Sequence, residues 1–291
     1  MPSILEIVRR LHPLHRLRKS RLFRAATRKF DPIVRWRSAL LAGPIYLRLV
    51  ANASIILDPG GQEPGIRETF IALLQAHPKP GGVFWDIGAN VGLYTWSCAT
   101  ARPDVAIVAF EPDRKNLECL RRTRDTWRRV SCEIIPCAVA EESGRATFYV
   151  DDVSGATGTI EPGSGTFNAV QYGALAPTVE VDTVAIDTLI SEGREAPFLI
   201  KIDVERAELR VLRGGAKLLR ERQPFLLLEA YGERMSTFAF LASCGYRLFD
   251  SNRRAAIAQD SVNVLAIPKE VDQSVTDILA ALGYPVTRAS L

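Results

Sequence analysis

The stretch Val83-Phe-Trp-Asp-Ile-Gly-Ala-Asn-Val-Gly-Leu-Tyr-Thr-Trp96 decides how the rest of the chain is read. An apolar run of strand length ends in Asp86, and Gly88, Asn90 and Gly92 follow at alternate positions before a helix opens near Val91. Glycines at a strand-to-helix turn let the backbone approach a ligand and leave the first helical N–H groups free to bind it. The spacing D-x-G-x-N-x-G differs from the G-x-G-x-x-G of nicotinamide binding, so a dinucleotide oxidoreductase is disfavoured. A glycine turn by itself is also compatible with a mere tight connection.

Outward from this stretch, short apolar runs alternate with helical segments. Val83–Trp85, Val105–Phe110, Ile134–Val139, Phe198–Ile202 and Phe225–Leu228 read as strands. Val91–Ala101, Asp113–Trp127 and Glu205–Arg220 read as helices. Continuous apolar strands alternating with helices predict an α/β fold, a doubly wound parallel sheet covered on both faces. A helix at Glu233–Cys244, a strand at Tyr246–Phe249 and a last run at Val262–Ile267 follow. The last two strands lack a crossover helix between them, which predicts an antiparallel final pair. Ala146–Val150 and Thr178–Val184 also read as strands. Between them, residues 151–177 hold five glycines and no regular period, either a lid over a site or a loose insertion.

Four carboxylates gather at the predicted carboxyl edge of the sheet. Glu111 ends the second strand, 25 residues after Asp86, where a carboxylate accepts the ribose hydroxyls of an adenosine ligand. Period two puts Lys201 and Asp203 on one face of the fourth strand, either as a structural ion pair or as working groups. Glu205 opens the next helix, and Glu229 ends the run before Ala230 and Tyr231.

Composition bounds the rest. The 291 residues are 47% hydrophobic and 24% charged, the profile of a globular chain with a sizeable core. Residues 1–50 carry 12 Lys and Arg against Glu6 and Asp31, a local charge of +10 out of a total of +4. The remainder is therefore acidic, at −6. Residues 1–60 read as a basic helical arm, closed by the Pro/Gly-rich stretch 58–65, with Ile4, Leu5, Val8 and Leu11 at helical spacing. Such a helix packs one face on the domain or lies on an anionic membrane surface. No reading motif accompanies the charge, so no specific nucleic-acid partner is expected. Five cysteines without CxxC spacing suggest neither a disulfide framework nor a zinc site. No run of 18 apolar residues occurs and arginines interrupt the start, so the expected location is the cytoplasm, with the arm a candidate for peripheral contact at the inner membrane face.

In order, DIGANVGLYT, FEPDRKN, AVAEESGRATFYV, DTLI, LIKIDVERAELRVLRGG and LLLE resemble the FkbM-type family of S-adenosylmethionine-dependent methyltransferases, over roughly residues 65–250. The resemblance implies a class I methyltransferase, a Rossmann-like sheet of order 3-2-1-4-5-7-6 with strand seven antiparallel. The catalytic domain would then be residues 61–291, with 151–177 as an inserted lid-like loop. The implied reaction is O-methylation of a sugar or natural-product hydroxyl, in glycan or natural-product synthesis. By position, Asp86, Gly88, Asn90 and Gly92 would border the methionine portion of S-adenosylmethionine. Glu111 would hold the ribose, and Cys137 and Ala138 would lie by the adenine. Asp203 would stand near the transferring methyl. The family's usual Gly after V-E is replaced by Arg206, which either narrows the acceptor pocket or adds an anion contact.

A hydroxyl is a poor nucleophile while protonated, so a general base is expected. His12, His15 and His77 fall in no site motif. Asp203 is the expected base, with Glu205 and Glu229 as rivals and Lys201 as electrostatic partner; no spacing demands a metal. The competing readings are a methyltransferase for another acceptor, nucleic acid or small molecule, and a non-catalytic membrane-associated binding module. The acidic site residues argue against the module, and the lack of an N/D-P-P-Y motif argues against base N-methylation.

Overall fold

The computed structural model describes residues 20, 22, 26–27, 30–57, 64–77, 80–151, 154–161 and 176–286. The amphipathic helix expected around Ile4–Leu11 lies outside them. In chain order, the chain opens with β1 (Ile33–Trp36), β2 (Ile45–Arg48), α1 (Ala53–Leu57) and α2 (Pro64–Ala76). Next come β3 (Val83–Ile87), α3 (Leu93–Ala101), β4 (Ala106–Phe110), α4 (Arg114–Thr126) and β5 (Cys132–Ile135). They are followed by β6 (Ala138–Val139), β7 (Gly144–Tyr149), β8 (Thr178–Val184), α5 (Ile186–Ser191) and β9 (Leu199–Ile202). The last third holds α6 (Glu208–Arg213), α7 (Ala216–Glu221), β10 (Phe225–Glu229) and α8 (Arg234–Ser243). It ends with β11 (Tyr246–Asp250), β12 (Ala255–Ala256), β13 (Asn263–Pro268) and α9 (Gln273–Ala281).

The central sheet has eight strands in the order β12-β11-β13-β10-β9-β3-β4-β5. From β5 through β10 neighbours pair parallel, whereas β13 runs antiparallel to both β10 and β11. All five residues of β3 are buried, because it lies at the centre with helices on both faces. Its side chains alternate between two cores: Phe84 packs with Phe70, Leu73 and Trp96, whereas Trp85 and Ile87 pack with Phe110 and Leu212. A parallel strand covered on both sides has to read as an unbroken apolar run, and VFW is one.

Two expected elements are divided. The run Ile134–Val139 breaks at Pro136, which cannot donate to a ladder. Its first half stays in β5, and Ala138–Val139 leaves to pair with β8 in a separate three-stranded sheet, β6-β8-β7. The helix expected over Glu205–Arg220 starts only at Glu208 and is interrupted at Gly214–Gly215. There the chain passes so close to the Ala140 carbonyl that a Cβ on Gly214 would lie 2.1 Å from its oxygen.

Within the span expected as a helical arm, the described residues Ile33–Arg48 instead form a β1–β2 hairpin, followed by the short helix α1. It is docked on the sheet domain: Ile45 and Leu47 are fully buried in the same core as Phe70. Burying each stabilises by about 2 kcal/mol. Backbone groups are satisfied by the domain as well. Tyr46 N donates to Thr123 Oγ1 (2.9 Å), and Trp127 Nε1 donates to Pro44 O (2.8 Å). Arg48 bonds Glu118 of α4 at 2.6 Å. Alternation in IYLR carried this strand signal, under a local charge that draws attention to the arginines. Among the described residues no helix is long and apolar enough to cross a membrane.

Candidate active site at the carboxyl edge of the sheet

The turn after β3 is held by backbone. Gly88 takes φ +78°, and its N–H and that of Ala89 both donate to Phe110 O (3.0 and 2.9 Å), binding this turn to the end of β4. A Cβ at Gly88 would stand 1.9 Å from Asp203 O, so only glycine fits between β3 and the loop after β9. Asn90, also left-handed at φ 53°, donates its N–H to Glu111 Oε2 (2.7 Å). Asp113 N donates to Glu111 Oε1 (2.7 Å). Each carboxyl oxygen thus has one backbone donor, with the Asn116 side chain beside them, and keeps acceptor capacity for a ligand. Burial, with Asp113 nearby, pushes the Glu111 carboxyl up to about 8.

These groups border a cleft, partly open to solvent, whose lining includes Gly88, Asn90, Glu111, Cys137, Ala138 and Asp203. Asn90 Oδ1 is buried there and makes no hydrogen bond within the protein. A buried acceptor without a donor costs about 1–3 kcal/mol, which a ligand donor would offset. Burial holds the Cys137 thiol up at about 12, so that wall is neutral.

Two residues expected to border the cofactor, Asp86 and Gly92, are not among those lining this cleft. Asp86 is buried, and its Oδ2 accepts from Thr95 N (2.9 Å) and Thr95 Oγ1 (2.6 Å), bracing the first turn of α3. Burial raises its carboxyl to about 6. Gly92 caps α3 in a left-handed conformation against Trp96 and Leu120. Neither lines the cleft; both position the turn that does.

The other half of the site is built from charge. Lys201, 1% exposed, pairs in register with Asp86 across β3 and β9. Its Nζ lies 3.5 Å from Glu229 Oε1, 3.7 Å from Asp203 Oδ2 and 5.1 Å above the Tyr94 ring. One ammonium thus faces two carboxylates, more than the simple Lys201–Asp203 pair. Burial raises the Asp203 carboxyl to about 6, Lys201 working against it. Glu205 is pushed up to about 9 by burial and by Asp203 and Glu229, so it keeps its proton at neutral pH. Arg206 is exposed with φ +80°, its N–H bonded to Glu208 Oε1 (2.8 Å). It is not among the residues that line this cleft. Asp203 belongs to both halves. Among the described residues no group of three His, Cys, Asp or Glu is arranged to hold a metal ion.

Residues that the sequence did not single out complete the cleft: Asn116, Phe148, Thr159 and Ile160 line it, and Tyr94 covers Lys201. Asn116 sits one turn into α4 after the Asp113 cap, a signal of helix start rather than of binding. Thr159 and Ile160 come from the aperiodic stretch, where no pattern marks them.

The sequence model of the methyltransferase FkbM domain matches residues 86–248, which is 163 of the 291 residues. The 31-O-demethyl-FK506 methyltransferase FkbM of Streptomyces tacrolimicus is 31% identical over 157 residues, 47% of this chain and 60% of that protein. The hexuronic acid methyltransferase AglP of Haloferax volcanii is 26% identical over 179 residues, 60% of this chain and 65% of that protein. The matched regions thus span less than two thirds of either relative. A crystal structure of methyltransferase FkbM from Methylobacillus flagellatus superposes with a TM-score of 0.44 at 18% identity, over 75% of this chain and 60% of that one. With the domain match running from Asp86 at the end of β3 to Leu248 in β11, the chain belongs to the FkbM family of methyltransferases.

Proposed function

We propose that the chain is an S-adenosylmethionine-dependent O-methyltransferase whose acceptor is a hydroxyl of a sugar, in a glycan, or of a natural product. The observation that carries this reading is the cleft with a donorless Asn90 Oδ1 and a half-satisfied Glu111 carboxyl, opening onto Asp203. Glu111 would accept from the ribose hydroxyls, Asn90 from a donor of the cofactor, and Cys137 and Ala138 would flank the adenine. When bound, the cofactor supplies a methyl group on a sulfonium, already activated for transfer.

The chain's own task is then to align a nucleophile and remove its proton. Asp203, ionised above about pH 6, takes the acceptor hydroxyl proton, while Glu205 at about 9 is already protonated and unfit as a base at neutral pH. Lys201, held by Glu229 and Asp203, limits the rise of the Asp203 carboxyl and keeps it ionised when the acceptor arrives. The names of two relatives, one acting on an O-demethylated natural product and one on a hexuronic acid, support oxygen acceptors of these classes.

Calorimetric titration with S-adenosylmethionine and S-adenosylhomocysteine tests the reading. Binding of both, weakened about 10–100-fold by Glu111→Ala, supports it. No binding of either by the folded wild-type chain removes the cofactor assignment.

A further inference from the structure

The described part of the aperiodic stretch, residues 154–161, is fastened at three places. Tyr149 and Thr159 exchange backbone hydrogen bonds (2.8 and 3.1 Å) at the end of β7. Asn116 Nδ2 of α4 donates to Gly155 O (2.8 Å). Thr159 Oγ1, on a residue only 2% exposed, donates to Glu205 O at 2.6 Å and accepts from Glu161 N at 3.0 Å. The start of the segment is wound around the buried Asp151 carboxylate, which takes N–H donors from Ser154, Ala156 and Thr157. Gly155, Gly158 and Ile160 of the same segment wall the cleft.

The third fastening joins two functions. Glu205 and Arg206 are consecutive non-glycine residues with φ of 50° and 80°, directly after Asp203 and Val204. Left-handed non-glycine residues cost of order 1 kcal/mol each and persist where the surroundings fix them. The carbonyl of the first accepts the short Thr159 bond, and the amide of the second is held by Glu208. Residues 154–161 thus cap one wall of the cleft, and the same cap pins the turn beyond Asp203.

We infer that Thr159 is a positioning residue that couples occupancy of the cleft to the conformation of the Asp203–Glu208 turn. The inference rests on the proposed reading of the cleft as the cofactor site. The cap and the turn behave as one unit because the threonine hydroxyl belongs to both. Loss of that hydroxyl frees the turn to leave its left-handed conformation while leaving Asn90 and Glu111 untouched.

The test is hydrogen exchange with and without S-adenosylhomocysteine, with calorimetry, on the full-length wild type, Thr159→Val, Thr159→Ala and Thr159→Ser. In the wild type the ligand should slow exchange in both 154–161 and 203–208. Thr159→Val should bind about 10-fold more weakly and show ligand protection confined to the Asn90 and Glu111 regions. Thr159→Ser should restore protection of 203–208. Equal protection of 203–208 in Thr159→Val and wild type overturns the coupling but leaves the cofactor reading intact. No binding by the wild type overturns both. If Thr159→Val and Thr159→Ala both fail to fold while Thr159→Ser folds, the bond is structural only, and the coupling falls.

Discussion

The site has two halves built by different means. The half after β3 and β4 is made of backbone: amides of Gly88 and Ala89 on the Phe110 carbonyl, amides of Asn90 and Asp113 on Glu111. The half after β9 and β10 is made of side-chain charge, with Lys201 between Asp203 and Glu229. Backbone constraints tolerate almost no added atom, and in this half only the Glu111 carboxyl titrates, at about 8. Charge constraints tolerate substitution sterically, yet every change alters the protonation of neighbours. The first half is suited to holding one fixed ligand, the second to moving a proton.

The largest expected effect falls on the backbone half. Gly88→Ala places a Cβ 1.9 Å from Asp203 O, at φ +78°, and neither group is a flexible side chain. We expect a loss of at least about 3 kcal/mol, read as a collapsed thermal transition. A wild-type transition would show that β3 and the Asp203 loop separate easily, and that the halves are not rigidly joined.

Asp203→Asn should do the opposite: keep the fold and S-adenosylhomocysteine affinity while lowering kcat on an acceptor with a free hydroxyl about 10²–10⁴-fold. In the wild type the rate should rise with pH through about 6, because only the ionised carboxylate accepts a proton. A flat profile together with near-normal turnover in the variant would remove Asp203 as base.

Lys201→Met breaks the charge half from inside. Removing the cation from a buried pair costs about 3–5 kcal/mol; the partial exposure of Asp203 lowers the expected loss to about 2–3 kcal/mol. The Asp203 carboxyl should titrate higher, moving the acidic limb of the rate profile upward. Unchanged stability and profile would remove Lys201 as the group that holds the Asp203 carboxyl down.

How far each half was legible follows from the same contrast. DIGANVG and the carboxylate ending the next strand are local patterns, and a turn that must be glycine is written where it occurs. The alternation of apolar runs and helices likewise reported the mixed sheet. The pairing of Lys201 with Glu229 joins two strands, so the sequence offered only Lys201–Asp203, which share one. Asp86 stood out because it ends the apolar run VFW, but its partners were not legible: the hydroxyl and amide donors come from Thr95, nine positions on in α3. Thr159 carries a contact to residue 205 from a stretch without period. The hairpin at 33–48 was hidden by charge: Arg35, Arg37 and Arg48 continue the basic bias of the first fifty residues, while Ile45 and Leu47 do the packing.

Raised carboxyls make a further, smaller difference measurable. Asp86 at about 6, Glu208 at about 7, Glu111 at about 8 and Glu205 at about 9 all keep protons in the folded chain that the unfolded chain releases near pH 4. The native state binds more protons across that window, so stability is present at low pH and falls as pH rises through the folded values. The ligand-free chain should therefore melt higher near about pH 5.5 than near about pH 8.5. The reverse order would show that these carboxyls are ionised in the fold, leaving Glu205 available as a base.

Arg206→Gly is the most modest and separates strain from chemistry. A non-glycine residue at φ +80° carries about 1–2 kcal/mol of backbone strain, and glycine relieves it. Glycine also gives back about 0.5–1 kcal/mol as greater unfolded-state freedom, leaving a net gain near 0.5 kcal/mol. The Arg206 side chain lies outside the cleft, so S-adenosylhomocysteine affinity should not change. A small rise in Tm with unaltered affinity would mark Arg206 as a residue whose strain is tolerated because Thr159 and Glu208 hold the turn from either side. A loss of affinity instead would place the guanidinium on the ligand, and the line between the two halves would have to be redrawn through the turn itself.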